Sequence, residues 1–296
     1  MIFLNNKLVR KEKAMISVFD HGFLYGDGIY ETLRAYNGIV FMLDEHIQRL
    51  YRSASLIQLT LDRNSDAIKK AVYQTLRANR LGEAVIRITV SRGKGPTGLD
   101  PDLCKKPTFV IFAAQFRKYP AHHYGKGVKI SIVRTRRNII SALNPQIKSL
   151  NFLNNVLAKI EAKNKNAFEA LMLNYRGYVA EGTVSNVFFI KRNSLYTPGL
   201  TVGILDGITR KMVLDIAREC GFKIREGKFR KHALYGAEEV FLSNTTMEVM
   251  PVSHVDNVRI GTGAGKTTKM FHQAYKQKVA DYINREMRYN KFIPGT

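Results

Sequence analysis

The chain has 296 residues, 45% hydrophobic and 24% charged, a globular composition long enough to bury a substantial core in one large or two ordinary domains. No apolar run approaches the roughly 20 residues that a membrane span needs. Met1-Ile2-Phe3-Leu4 has no basic stretch ahead of a long apolar one, so export is not expected, a cytoplasmic location is, and no membrane partner is foreseen. The formal net charge of +23 keeps a basic nucleic-acid-binding protein as the rival from another class. Its basic residues are spread along the chain, however, and the runs Arg134–Arg137 and Lys228–His232 lack repeated aromatic interleaving. No nucleic-acid partner is therefore expected.

In chain order, Ile29–Tyr36 and Ile39–Met42 read as strands around Asn37-Gly38, a pair suited to a hairpin turn in which both residues take positive φ. Asp44 reads as an N-cap, with Ile47, Leu50, Tyr51 and Ala54 on one face of the helix behind it. A helix over Ser65–Asn79 and strands over Ala84–Ser91 and Thr108–Phe116 follow. The polar stretch 119–127, with Pro120, Gly125 and Gly127, reads as a linker. Beyond it, strands Val128–Arg134, Glu169–Asn174, Asn186–Lys191 and Glu239–Ser243 alternate with helices Asn151–Lys163, Thr209–Cys220 and Thr267–Arg288. The pattern predicts a two-domain α/β (α+β) protein: a smaller domain over 1–118, the linker, and a larger one over 128–296, with a ligand site in the cleft. Cys104 and Cys220 match no metal or redox spacing and read as two buried thiols, with no metal site expected.

Gly261-Thr262-Gly263-Ala264-Gly265-Lys266-Thr267-Thr268 resembles a phosphate-binding P-loop, but Ile260 stands where that motif needs its first glycine. A glycine-rich turn into the last helix is the better reading. Lys148 is the one charge in the neutral stretch Ile139–Leu153. On composition alone such a lysine reaches out to water; if buried, it would offer a neutral amine able to condense with a carbonyl. Glu181 before Gly182 reads as a turn acid, Thr209 as a helix cap, and Thr245-Thr246 as loop hydroxyls. A helix start can also bind an anion through its free amides.

Taken together and in order, Lys148-Ser149-Leu150-Asn151, Glu181-Gly182-Thr183 through Ser185-Asn186, Gly203 to Arg210, and Glu238 to Thr245 resemble the class IV aminotransferases, as does Glu45-His46-Ile47-Gln48-Arg49-Leu50. The resemblance covers nearly the whole chain and implies the fold-type IV architecture with pyridoxal 5'-phosphate as cofactor. It implies that Lys148 holds the cofactor covalently and moves the substrate Cα proton, and that Glu181 bonds the pyridine nitrogen. It further implies that Arg49, the Ile208 and Thr209 amides and Thr245 bind the phosphate. Tyr30, Arg87 and Thr246 become candidate substrate contacts, with Arg92 and Lys94 as further carboxylate partners. The implied activity is ping-pong transamination of branched-chain L-amino acids (leucine, isoleucine, valine) with 2-oxoglutarate by a homodimer. A D-amino acid aminotransferase and an aminodeoxychorismate lyase are the alternatives that share the cofactor. The sequence departs from the branched-chain pattern at Phe152 and Val85, where many of those enzymes carry tyrosines, and it lacks the Arg-x-His carboxylate trap of the D-specific enzymes.

Overall fold

The computed structural model describes residues Met1–Tyr289, which divide into two compact units. Among the described residues, the first comprises Met1–Arg117, Ile147–Asn151 and Val279 to Tyr289; the second comprises Lys118–Gln146 and Phe152–Lys278. Residues 290–296, the end of the expected larger domain, lie outside the described residues.

The first unit contains strands β1 (Ile2–Leu4) and β2 (Lys7–Val9), helix α1 (His21–Tyr25), β3 (Gly28–Tyr36), β4 (Ile39–Val40), α2 (Leu43–Leu56), α3 (Ser65–Ala78), β5 (Ala84–Ser91) and β6 (Thr108–Gln115). Six strands pair in the order β2-β1-β6-β5-β3-β4, all antiparallel. The hairpin at Asn37-Gly38 forms as expected, with φ of 51° and 81°. Because side chains alternate across a strand, one face of the sheet presents Ile29, Leu33, Ile86, Ile88 and Val90 to Ile47, Leu50, Ile68 and Val72 of α2 and α3. The other face carries Tyr30, Thr32, Arg87, Thr89, Val110 and Phe112 and is left largely to polar and half-exposed groups. Asp44 is not the N-cap of α2. Buried Met42, at φ 52°, holds that position, and Asp44 and Glu45 lie in the first turn, where negative charge complements the helix dipole.

The second unit contains α4 (Ala121–Lys126), β7 (Val128–Ile132), α5 (Leu153–Asn164), β8 (Glu169–Leu173), β9 (Val179–Gly182), β10 (Asn186–Lys191), β11 (Ser194–Pro198), α6 (Ile208–Glu219), β12 (Lys223–Gly227), α7 (His232–Tyr235), β13 (Glu239–Asn244), β14 (Glu248–Val255) and β15 (Val258–Arg259). The last helix, α8 (Lys266–Tyr289), starts here. Its mixed sheet runs β12-β11-β10-β13-β14-β7-β8-β9, with β15 on β14. Several strands are near-continuous buried runs, Glu169–Leu173 and Asn186–Ile190 among them, as expected of strands covered on both faces. The expected linker contains α4, which starts directly after Pro120, a residue that can open a helix but cannot sit inside one. The cysteines are not buried thiols. Cys104 is half-buried, and Cys220 is exposed because it falls just past the last turn of α6, whose core face is filled by Val213, Ile216 and Ala217.

The glycine-rich turn leads into α8 as expected, and the anion position at that helix start is filled from within the protein. Both oxygens of Glu239 accept the first amides of α8, from Thr267 at 3.0 Å and Thr268 at 2.7 Å. Gly265 permits this approach, since a Cβ there would fall 2.1 Å from the Glu239 carboxyl carbon.

Candidate active site

Lys148 belongs to the segment Ile147–Asn151, which lies against β3 of the first unit. Tyr30 donates its amide to the Lys148 carbonyl at 2.9 Å, Leu150 donates to Gly28 at 2.9 Å, and Lys148 donates its own amide to Ser53 Oγ at 3.1 Å. These bonds fix the lysine backbone on the rim of a rigid sheet. Its Nζ reaches the Tyr30 hydroxyl at 3.2 Å and forms no ion pair among the described residues. The Arg87 guanidinium lies over the same Tyr30 ring, 3.8 Å from its centre, while its Nε donates to Thr89 Oγ1 at 3.2 Å. Burial pushes the Arg87 pKa down, and Tyr30 partly offsets that. Two cations therefore flank one tyrosine on the open face of the sheet, an arrangement suited to a carboxylate-bearing ligand.

On the opposite face, next to Tyr30 in sequence, Glu31 is fully buried. It accepts Arg49 Nε at 2.7 Å, Arg49 Nη2 at 2.7 Å and His46 Nδ1 at 2.7 Å. Burial alone would raise the Glu31 carboxyl pKa, but Arg49 and His46 outweigh it and hold the group well below the usual carboxylate range. Burial lowers the His46 pKa, with Glu31 opposing and Arg49 and Lys148 assisting. Since a carboxylate only accepts, His46 carries its proton on Nδ1. Arg49, expected to offer its fork to a phosphate, has its Nε–Nη2 edge on Glu31, which sets the orientation of the side chain. The sequence motif marks the arginine, but only the sheet register, which sets Glu31 beneath it, reveals the partner.

The acid-bearing set lies in the second unit. Glu181, on β9, is buried and accepts Arg137 Nε at 2.7 Å on one oxygen, with the Leu205 amide at 3.0 Å and Asn186 Nδ2 at 3.2 Å on the other. A carboxylate offers about four acceptor directions, so three protein donors leave one on the oxygen that Arg137 shares. Far from a solvent-facing turn residue, Glu181 is a buried carboxyl held by three donors with capacity for one more. Sequence reasoning misses Arg137, which stands in a basic run and resembles surface charge; its only signal is proximity to a strand end. Asn186 belongs to a motif that assigns it no role.

Helix α6 begins one residue earlier than expected. Gly207, not Thr209, holds the N-cap position, no side chain caps the helix, and Ile208 and Thr209 are its first helical residues. Their amides are thus in the orphan position that attracts anions. Across the sheet, Asn186 of β10 lies opposite Ser243 of β13, whose buried hydroxyl meets no hydrogen-bond partner among the described residues. Thr245 follows, half-buried, in a turn where Asn244 Oδ1 accepts the Thr246 amide at 2.9 Å and the Met247 amide at 2.7 Å. The Thr246 hydroxyl is committed to Asn244 at 3.2 Å and to Tyr119 at 3.4 Å. Arg92 is not available for a substrate carboxylate: it is buried, pairs with Asp27 at 2.5 Å, and donates to the Ile57 and Gln58 carbonyls. Lys94 bridges in backbone to Asp20, and Phe152 stands at the N-cap position of α5.

These features fit the chemistry of pyridoxal phosphate: an amine without an ion pair, a buried acid with a spare acceptor direction, an uncapped helix start and an orphaned buried hydroxyl. Residues 28–255 match the model of the amino-transferase class IV family. A putative branched-chain-amino-acid aminotransferase of Methanocaldococcus jannaschii is 42% identical, over 93% of this chain and 95% of its own. The aminodeoxychorismate lyase of Bacillus subtilis is 34% identical over 97% of both chains, and the D-alanine aminotransferase of Bacillus licheniformis is 36% identical over 94% of this chain and 96% of its own. Among solved structures, the branched-chain amino acid aminotransferase of Escherichia coli superposes with a TM-score of 0.90 at 31% identity, covering 93% of each chain. The chain therefore belongs to the class IV aminotransferases, enzymes that work with pyridoxal phosphate.

Proposed function

We propose that the protein transfers amino groups between branched-chain L-amino acids and 2-oxoglutarate, with Lys148 as the catalytic lysine. The observation that carries this reading is the open sheet face beside Lys148, where Val85, Val110 and Phe112 share a surface with the guanidinium of Arg87 and the hydroxyl of Tyr30, while Arg34 on the same face is paired with Glu83. The apolar side chains on this mixed face suit a branched aliphatic group, and the Arg87 cation beside them suits the second carboxylate of the acceptor acid. The resemblance to the putative branched-chain enzyme over nearly the full chain supports the same choice.

The cofactor supplies an electron sink for the charge left when the substrate Cα proton departs. Lys148 Nζ is the base that takes that proton and returns it, with Tyr30 hydroxyl orienting the amine at 3.2 Å. Glu181, oriented by Arg137, would bond the ring nitrogen and favour its protonated form. The Ile208 and Thr209 amides, Thr245 and Arg49 bind the phosphate, and Thr246, Tyr30 and Arg87 line the substrate. Arg49 acts with Glu31 setting its orientation. The chain is further proposed to work as a homodimer in the cytoplasm: α5 exposes Leu153, Val156, Leu157 and Ile160, an apolar stripe at i, i+3, i+4 and i+7 that a subunit contact would cover.

Comparing turnover of L-leucine, D-alanine and aminodeoxychorismate with keto-acid acceptors tests the substrate. L-Leucine is expected to react fastest; D-alanine turning over while L-leucine does not would replace this reading with the D-specific one. Lys148→Ala should retain the fold and lose both the visible absorbance that borohydride bleaches in the wild type and the covalent label that reduction leaves, and peptide mapping of reduced holoenzyme that places the label elsewhere would refute the role of Lys148. Analytical ultracentrifugation of Leu157→Glu is expected to give monomer where the wild type gives dimer; a monomeric wild type would rule the dimer out.

A further inference from the structure

Gly207 is a glycine for a reason that its backbone does not supply. Its φ of −71° and ψ of 134° are open to any residue, yet a Cβ there would stand 2.1 Å from Asn186 Oδ1. Asn186 itself is buried and tied on its other side. Its Nδ2 donates both to Glu181 Oε2 at 3.2 Å and to the Leu205 carbonyl at 3.1 Å, while the Leu205 amide returns to the same Glu181 oxygen at 3.0 Å. One amide side chain thus connects the acid of β9, the turn at Leu205 and the first residue of the α6 cap.

The loop that delivers Asn186 is held from below. Glu169 is buried and accepts the Thr183 hydroxyl at 2.6 Å and the Ser185 hydroxyl at 3.2 Å, and Asn155 donates to the Thr183 carbonyl at 2.5 Å. Gly182 permits this packing, because a Cβ there would sit 2.2 Å from Ser185 Oγ. Several linked bonds set position more sharply than one bond could.

We infer that Asn186 is a positioning residue that sets the spacing between the Glu181 carboxylate and the first amides of α6. This rests on the roles proposed above for Glu181 and the α6 amides. The cofactor presents its ring nitrogen and its phosphate at fixed places on a flat ring, and only the short phosphate arm can bend to absorb an error in that spacing. Gly207 lets the Asn186 amide pass between the two sites, so a methyl group at 207 should act by displacing Asn186.

The test is a double-variant cycle read by cofactor binding rather than turnover. Apoprotein is titrated with pyridoxal phosphate, and visible absorbance reports both affinity and the pH midpoint of the lysine-bound chromophore. Asn186→Ala is expected to weaken binding about tenfold, the factor that one lost buried hydrogen bond carries. It should also move the pH midpoint in the same direction as Glu181→Gln. Gly207→Ala should do both although Glu181 and Asn186 are chemically intact. In the double variant the severe clash is gone and only the 3.2 Å contact to Arg210 Cβ remains, so its binding should be no weaker than that of Asn186→Ala alone. Additive losses, or a Gly207→Ala protein that binds like wild type, overturn the inference. A Glu181→Gln protein with an unmoved pH midpoint is a different result, and removes the ring-nitrogen role itself.

Discussion

Helices α6 and α8 both start after glycine-containing turns, and in both the first amides face a place where an anion could sit. In α8 the protein supplies that anion: Glu239 is bonded to the Thr267 and Thr268 amides. In α6 the N-cap is Gly207, and no side chain caps the helix. The turn before α8 is the richer in glycine and closer to a phosphate-binding motif, yet it is α6 whose first amides no side chain caps. Glycine content permits a close approach; what approaches is decided by the neighbouring strand. Glu239 at the start of β13 fills one helix start, whereas Asn186 at the start of β10 leaves the other open while forbidding a side chain at 207. Arg49 repeats the α8 pattern, for it too is met by a carboxylate of the protein, Glu31.

The largest expected effect tests whether Glu31 is a resident counter-ion. Arg49→Ala leaves its carboxylate buried beside His46 alone, and removal of one partner of such a pair costs about 3–5 kcal/mol. Urea denaturation of the apoprotein should register that loss before any cofactor is added. A variant as stable as wild type would mean that Arg49 is held for the ligand alone.

Giving α6 the carboxylate that α8 already has should erase the contrast. Thr209→Glu is expected to weaken pyridoxal-phosphate binding roughly 100-fold, because charge repulsion replaces a charge-assisted hydrogen bond. Calorimetric titration of the apoprotein measures it, and unchanged affinity would place the phosphate elsewhere. The converse change, Glu239→Gln, removes a helix cap and should lower stability by about 1–2 kcal/mol. Cofactor affinity should stay at the wild-type value, and ATP should gain no binding at the α8 turn; measurable ATP affinity would show that the cap alone had been masking a nucleotide site.

The smallest effect is one of pH. His46 has a folded pKa below its ordinary 6.5, so the unfolded chain binds more protons just below that value and stability falls as pH drops through it. Glu31, also depressed, contributes stability above its ordinary 4.5 that is lost on further acidification. The apoprotein's thermal midpoint should decline from pH 6.5 downward, and His46→Gln should flatten only the upper part of that decline. An identical slope in the variant would show that His46 does not drive it.

Much of the fold is directly legible. Strands over Ala84–Ser91 and Asn186–Lys191 have the bounds that periodicity assigns, because long β-branched and aromatic runs leave few alternatives. Helix starts are less so. Asp44 and Thr209 are good local caps, but buried Met42 and Gly207 take those positions, since the entry of each helix is set by the strand packed beside it. Among site residues, Lys148 and Glu181 stand out through motif order, whereas Arg137 does not: a basic residue that becomes the partner of a buried acid looks, in sequence, like any other surface charge.

The chain's own order of residues determined the family and the alternation of strands and helices and singled out Lys148, because these follow from local pattern and from motifs that keep their spacing. Tertiary structure alone decided which charges are spent and which are kept. Whether Arg49, Arg92 or the amides of α8 meet a ligand or a carboxylate of the protein depends on residues distant in sequence, and electrostatic pairing over a few ångströms is set by packing and not by neighbours along the chain.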